Sequence, residues 1–165
     1  MPIVLYRVDE RLIHGQVVVG WGAVLDPDRI VVVDDVLARS PWEQELYDLG
    51  LPPELETDFA DIETARRRLG EWRESPERAI VLTRDVGTMR RLGQDGLLRG
   101  EEVNIGGIHF AQGRERALPY VYLGPAEREE IERLADEGAE VAARDLPGSR
   151  RVALPELLRA GGRAR

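Results

Sequence analysis

Short apolar runs, each met by charge at its carboxyl end, divide the chain. Ile3 to Val8 and Arg29 to Val33 are rich in β-branched residues and lack polar alternation, which predicts strands covered on both faces. Asp9-Glu10 follows the first run and Asp34-Asp35 the second, so both place carboxylates where a strand leaves the core. Between them, Gln16 to Leu25 is apolar nearly all round, the pattern of a helix held in the interior, with Gly20 and Gly22 lowering its propensity.

Further along, Ser40-Pro41-Trp42-Glu43 has the form of a capping box with proline at the first helical position, and Gly50 with Pro52-Pro53 closes that helix. A helix opening near Asp61 carries Ile62, Ala65, Leu69 and Trp72 on one face. Ala79 to Thr83 predicts another buried strand, followed by a helix around Val86, Met89 and Leu92. Glu102 to Ile105 predicts a strand ending in Gly106-Gly107, and Tyr120 to Leu123 the next one. Gly124-Pro125 starts a strongly charged helix that stops at Gly138, and Val141 begins a last short strand. Glu127 to Glu137 within that helix reads as a solvated face laced with i,i+4 pairs.

Strands alternating with helices imply right-handed βαβ units: an α/β fold with one doubly wound, mainly parallel sheet and helices on both faces. Sites in such sheets lie at the carboxyl ends of strands. The 165 residues suit a single domain spanning 1–165, with the arginine-rich stretch 159–165 expected as a flexible tail.

Composition narrows the chemistry. There is no cysteine, which removes thiolate nucleophiles, disulfides and cysteine-ligated metals. There is no lysine either, so a Walker-A loop, a Schiff base and a lysine base are excluded. With only two histidines, His14 and His109, a three-histidine metal site cannot be built, and neither metal nor cofactor is expected. A net charge of −8 and 5% aromatic residues argue against a nucleic-acid partner. The amino-terminal stretch lacks a basic region followed by a long apolar one, and no run approaches the length that spans a bilayer, so a cytoplasmic location is expected.

What remains is concentrated in one loop. Arg7-Val8-Asp9-Glu10-Arg11-Leu12-Ile13-His14-Gly15-Gln16 gathers two arginines, two acids and a histidine between a strand and a helix. Backbone N–H groups of Gly15, Gln16 and Val17 at the helix start would face an anion, and Arg7 and Arg11 would add charge-assisted hydrogen bonds. Read that way, the loop is a phosphate site carrying its own nucleophile, His14. Read otherwise, it is a surface loop in which a lone histidine packs beside an ion pair.

The stretch from Arg7 to Val17 closely resembles the active loop of the IIB subunit of the mannose/sorbose family of the bacterial phosphoenolpyruvate-dependent sugar phosphotransferase system. Ile30-Val31-Val32-Val33-Asp34-Asp35, Val103-Asn104-Ile105-Gly106-Gly107 and the passage from Leu134 to Val141 are also similar, so the resemblance covers almost the whole chain. It implies a phosphocarrier. His14 would accept a phosphoryl group on Nδ1 from the phosphohistidine of a IIA protein and pass it to a sugar bound by membrane IIC and IID subunits. Homodimers occur among such proteins. In-line transfer needs mainly positioning and stabilisation of spread negative charge, which Arg7, Arg11 and the helix start would supply. Asp9 would accept the Nε2–H of His14 and so leave Nδ1 free.

Around this core, Asp34, Asp35, Arg84, Gly106, Gly107 and His109 are candidates for neighbouring positions. Asp34 and Asp35 are equally suited to capping the next element, and His109 to a structural or exposed role. Arg7, Arg11 and Arg84 are expected to form a positive patch around an accessible loop from Asp9 to Gly15, steering the donor in a salt-dependent way. The sequence departs from the family pattern at Glu10 and at Asp145-Leu146-Pro147-Gly148-Ser149.

Overall fold

The computed structural model describes residues 2–159. Seven strands form one sheet in the order β3-β2-β4-β1-β5-β8-β9, with β1 Ile3–Val8, β2 Arg29–Val33, β3 Glu56–Ala60, β4 Ala79–Thr83, β5 Glu102–Ile105, β8 Glu140–Ala143 and β9 Val152–Ala153. Every pairing is parallel except β8 with β9. The chain after β1 forms a wide π-helical segment, Gln16–Trp21, that runs directly into α1, Gly22–Leu25. The remaining helices are α2 Pro41–Asp48, α3 Ile62–Glu74, α4 Val86–Leu92, α5 Pro125–Asp136 and α6 Leu154–Arg159.

Alternate residues of the central strands feed two cores, as a period of two requires. Val31, Val33, Val81, Val103 and Ile105 pack beneath α3, α4 and α5, whose buried faces include Leu69, Met89 and Leu134. Ile30, Val32, Ile80 and Leu82 pack on the other face against Val17, Leu37 and Tyr47, under the π-helical segment and α2. The predicted run of apolar strands is explained by this double cover.

Two local expectations are corrected. Tyr120 to Leu123 does not join the main sheet: β7, Val121–Leu123, pairs antiparallel with β6, Glu115–Leu118, in a separate ribbon. Ser40 precedes α2, but its side chain makes no capping bond; its backbone N–H and Gln44 Nε2 both donate to the Leu37 carbonyl, at 3.1 and 2.8 Å. Of the stretch 159–165, Arg159 is described, as the last residue of α6, which packs against β8 and β9. The rest of that expected tail lies outside the described residues. Asp61 does cap α3, accepting from the Thr64 N–H at 2.7 Å.

β1 lies centrally, and the chain leaving it crosses the face opposite to the one taken after its neighbours β4 and β5. That reversal opens a crevice at the carboxyl end of β1, where the loop from Asp9 to Gly15 sits.

Candidate functional site

Arg7 is the last polar residue of β1 before the loop, and it is wholly buried. Its guanidinium uses both terminal nitrogens twice. Nη1 donates to Asn104 Oδ1 and to the Arg144 carbonyl at 2.9 Å; Nη2 donates to Asp9 Oδ2 at 3.1 Å and to the Asp145 carbonyl at 3.2 Å. The Trp21 ring lies 5.4 Å from its Cζ, and the indole N–H donates to the same Asp145 carbonyl at 3.0 Å. Room for the guanidinium comes from Gly106, where a Cβ would stand 2.4 Å from Cζ.

Asp9 is also fully buried and collects every cation of the loop. Oδ1 accepts from the Arg11 backbone N–H at 3.0 Å and from Arg11 Nε at 3.2 Å, while Oδ2 accepts from Arg11 Nη2 at 3.2 Å. His14 Nε2 approaches Oδ2 to 3.2 Å from off the line of its ring N–H. Burial pushes the Asp9 carboxyl up, but the nearby His14 ring, the bonds from Arg11 and the charge of Arg7 outweigh it and hold the group well below the usual carboxylate range. Arg7, in turn, is pulled below the usual guanidinium range by burial, against the favourable charge of Asp9.

The loop is fixed by its backbone as well. Leu12 adopts φ 56°, a left-handed conformation that a branched side chain reaches at a cost, and its N–H closes a turn onto the Asp9 carbonyl at 2.9 Å. Its side chain is buried in the core beneath α2. The turn brings His14 back over Asp9. Nδ1 of His14 accepts from the Gln16 N–H at 3.3 Å, and the Gln16 side chain accepts from Arg11 Nη2 at 2.8 Å. The His14 side chain is 15% exposed and lines an open groove of about 310 Å³ with Ile13, Gly15, Val18, Leu46, Tyr47 and Leu51 among its walls.

Several expectations about this site change. The loop is not accessible throughout: Asp9, Leu12 and Ile13 are buried, and only Glu10, Arg11, His14 and Gly15 reach the surface. Arg7 belongs to no surface patch, because its charge is spent beneath the loop on Asp9. The Val17 N–H is turned inward to the His14 carbonyl at 3.1 Å rather than toward an anion, and the Gln16 N–H faces His14 Nδ1. Asp34 caps the turn after β2, accepting from the N–H groups of Val36 and Leu37, and pairs with Arg84 at 3.3 Å. Asp35 reaches the start of α3 at the Ile62 N–H. These two acids serve local structure.

Gly106 and Gly107 do border the site; a Cβ on Gly107 would lie 3.2 Å from both Arg11 Nη2 and Asp9 Oδ1. His109 stands one side chain away. Its Nδ1 lies 3.3 Å from Glu10, which also pairs with Arg114 at 2.9 Å. Asn104, Trp21 and the backbone of Arg144 and Asp145 join the site from outside the loop. Asn104 alone had a sequence signal, as a polar residue inside an apolar strand.

With this geometry in view, comparison with known proteins is unambiguous. Residues 3–164 match the family described as PTS system sorbose subfamily IIB component, and the chain belongs to that family of phosphotransferase components. It is 31% identical over 158 residues to the N-acetylgalactosamine-specific phosphotransferase enzyme IIB component 1 of Escherichia coli strain K12, covering 93% of this chain and 97% of that protein. It is 28% identical to the mannose-specific EIIAB component of the same strain, covering 96% of this chain but 49% of that longer protein. The crystal structure of the Escherichia coli N-acetylgalactosamine-specific IIB component 1 superposes with a TM-score of 0.81 at 29% identity, over 93% of this chain and 99% of that one. The protein is thus a IIB phosphocarrier of sugar transport. Among the described residues, no helix is long and apolar enough to cross a membrane.

Proposed function

We propose that His14 is the phosphoryl acceptor and that the chain works at the cytoplasmic face of a sugar transporter. The observation that carries this reading is the placement of the His14 ring. Nε2 lies 3.2 Å from a carboxylate held ionised, which favours a proton on Nε2 and a lone pair on Nδ1. The lone pair attacks the phosphorus of a IIA phosphohistidine; the new Nδ1–P bond forms as the donor N–P bond breaks, and the Nε2 proton stays beside Asp9. As Nδ1 bonds to phosphorus it gives up the hydrogen bond from the Gln16 N–H, which is then free, with the exposed edge of Arg11, to meet charge on the transferring group. Arg7 acts from beneath, neutralising Asp9.

In this reading IIA is the donor, and a sugar held by membrane IIC and IID subunits is the acceptor. The test is incubation with labelled phosphoenolpyruvate, the two general phosphotransferase proteins and a cognate IIA. The expected product is an acid-labile, base-stable label that His14→Ala abolishes and His109→Ala retains. Equal labelling of His14→Ala would overturn the assignment.

A further inference from the structure

Arg7 is an unusual object for a strand interior: a fully buried cation that donates to one carboxylate and three neutral oxygens. A guanidinium has only donors, so its orientation is decided by where acceptors stand. Asp9 Oδ2 could be met from several directions. The remaining acceptors choose among them, and just one is a side chain: Asn104 Oδ1, on β5. Arg7 and Asn104 are direct partners in the parallel register of β1 with β5. Asn104 is 3% exposed and sits between Val103 and Ile105, which point into the opposite core.

We infer that Asn104 is a positioning residue for phosphoryl transfer: its amide oxygen fixes the Arg7 guanidinium, which fixes Asp9, which sets the ring of His14. The inference rests on His14 being the acceptor, but its structural part is independent of that reading. Each link is a contact. Asn104 anchors one end of the guanidinium fork; the other end reaches Asp9 at 3.1 Å; Asp9 meets His14 at 3.2 Å. Gly106 and Trp21 close the two faces of the fork, so rotation about its long axis is restrained by packing, while tilt within its plane is restrained by hydrogen bonds. Nε of Arg7 already lacks an acceptor among the described residues, so without the Asn104 oxygen a second N–H of the buried cation is left unpaired, and the fork can tilt away from Asp9 to recover one. Asp9 would then hold His14 through Arg11 alone, and a partly exposed arginine is a looser clamp.

The first test needs no substitution. In the wild-type protein, 15N–1H spectra of the arginine side chains should contain one guanidinium with separately resolved, slowly exchanging Nη hydrogens, assigned to Arg7. Freely rotating Nη groups for Arg7 would overturn the inference. The second test compares Asn104→Leu with Asn104→Asp, the first removing the acceptor at similar volume and the second keeping an oxygen in place. For Asn104→Leu, 15N shifts of the His14 ring, read without any donor, should move from one dominant tautomer to a mixture. The transfer rate should fall about tenfold or more, as small misplacements of reacting groups do, with the KM for IIA unchanged. Asn104→Asp should keep the single tautomer. A His14 ring and rate unaltered by Asn104→Leu would sink the proposal, as would equal loss in both variants, which would show that an acceptor oxygen at this position is not what sets the ring. Should Asn104→Leu fail to fold, the Arg7 spectrum and the Asn104→Asp tautomer decide. A protein that passes both spectroscopic arms but takes no label on His14 would instead refute the acceptor assignment.

Discussion

Gly106 and the Arg7 guanidinium occupy space that no side chain could share: a Cβ on Gly106 would lie 2.4 Å from Cζ and from Nη2, and 2.7 Å from Nε. A clash with the end of a flexible arginine is ordinarily relieved by moving it. Here the guanidinium is buried and held by four acceptors, so relief means breaking bonds to a buried charge. Gly106→Ala should therefore destabilise by about 1–3 kcal/mol, the usual cost of overpacking, and slow phosphorylation of His14 as Arg7 is displaced. Urea unfolding with a parallel labelling assay checks both. A fully stable and active Gly106→Ala would mean that Arg7 has slack the contacts do not reveal.

Much of this was legible beforehand, and the boundary is physical. Ile3–Val8, Arg29–Val33 and Ala79–Thr83 declared themselves because both faces of each strand are covered, leaving runs that are apolar but for Arg7, Arg29 and Thr83. β3 did not, since Glu56, Thr57 and Asp58 belong to an edge strand with only one neighbour, β2. β6 and β9 were hidden for the same reason, being short and half exposed. Within the site, the loop residues could be listed from sequence but not their depth. Arg7 and Arg11 look alike as letters; one is buried on β1 and the other lies on a turn whose left-handed Leu12 no pattern announces. Contacts from Trp21, Asn104, Arg144 and Asp145 span up to 138 residues of chain, and only the sheet order brings them together.

Asp9 makes stability depend on acid. Its folded carboxyl is held below its unfolded value, near 4, so its contribution is fully present above that range and is lost as the pH falls through the folded value. Asp9→Asn should remove this part of the acid sensitivity while lowering stability at pH 7 by about 3–5 kcal/mol, because Arg7 is left buried without its counter-charge. Urea midpoints measured between pH 7 and pH 2.5 decide it. Parallel pH curves for the two proteins would show that Asp9 titrates normally.

Tyr6 predicts the opposite limb. Its phenol is buried and pushed up to about 12 by that burial, against the opposing bond and charge of Arg73, whose Nε stands 3.3 Å from the hydroxyl. A raised folded value stabilises below the unfolded one, near 10, and that stability is lost as the pH rises toward 12. Absorbance titration at alkaline pH should show Tyr6 resisting ionisation most strongly, with Tyr120 also raised by burial, and Tyr6→Phe should flatten the fall in stability over this window. Ionisation of all four tyrosines near 10 in the folded protein would contradict the burial argument.

Contact with the donor should depend on apolar surface more than on charge. Trp42, Leu46 and Leu49 recur at i, i+4 and i+7 along α2 and are 65%, 58% and 80% exposed, and Val19 beside them is 70% exposed. Leu46 and Val19 also wall the groove that contains His14, so this surface adjoins the ring proposed as the acceptor. The expected positive patch is much reduced: Arg7 is buried on Asp9, and Arg84 is paired with Asp34. A phosphoryl group passing between two histidines must be shielded from water, and an apolar rim supplies that shield while leaving Arg11 as the cation at its centre. Leu46→Asp should raise the KM for IIA about tenfold, the effect of losing a well-placed apolar contact, with little change in turnover at saturation. Wild-type KM should vary only weakly between 50 and 500 mM salt, since screening acts on charge and not on apolar burial. An unchanged KM for Leu46→Asp together with a steep salt dependence would return the docking surface to the arginines and move it off α2.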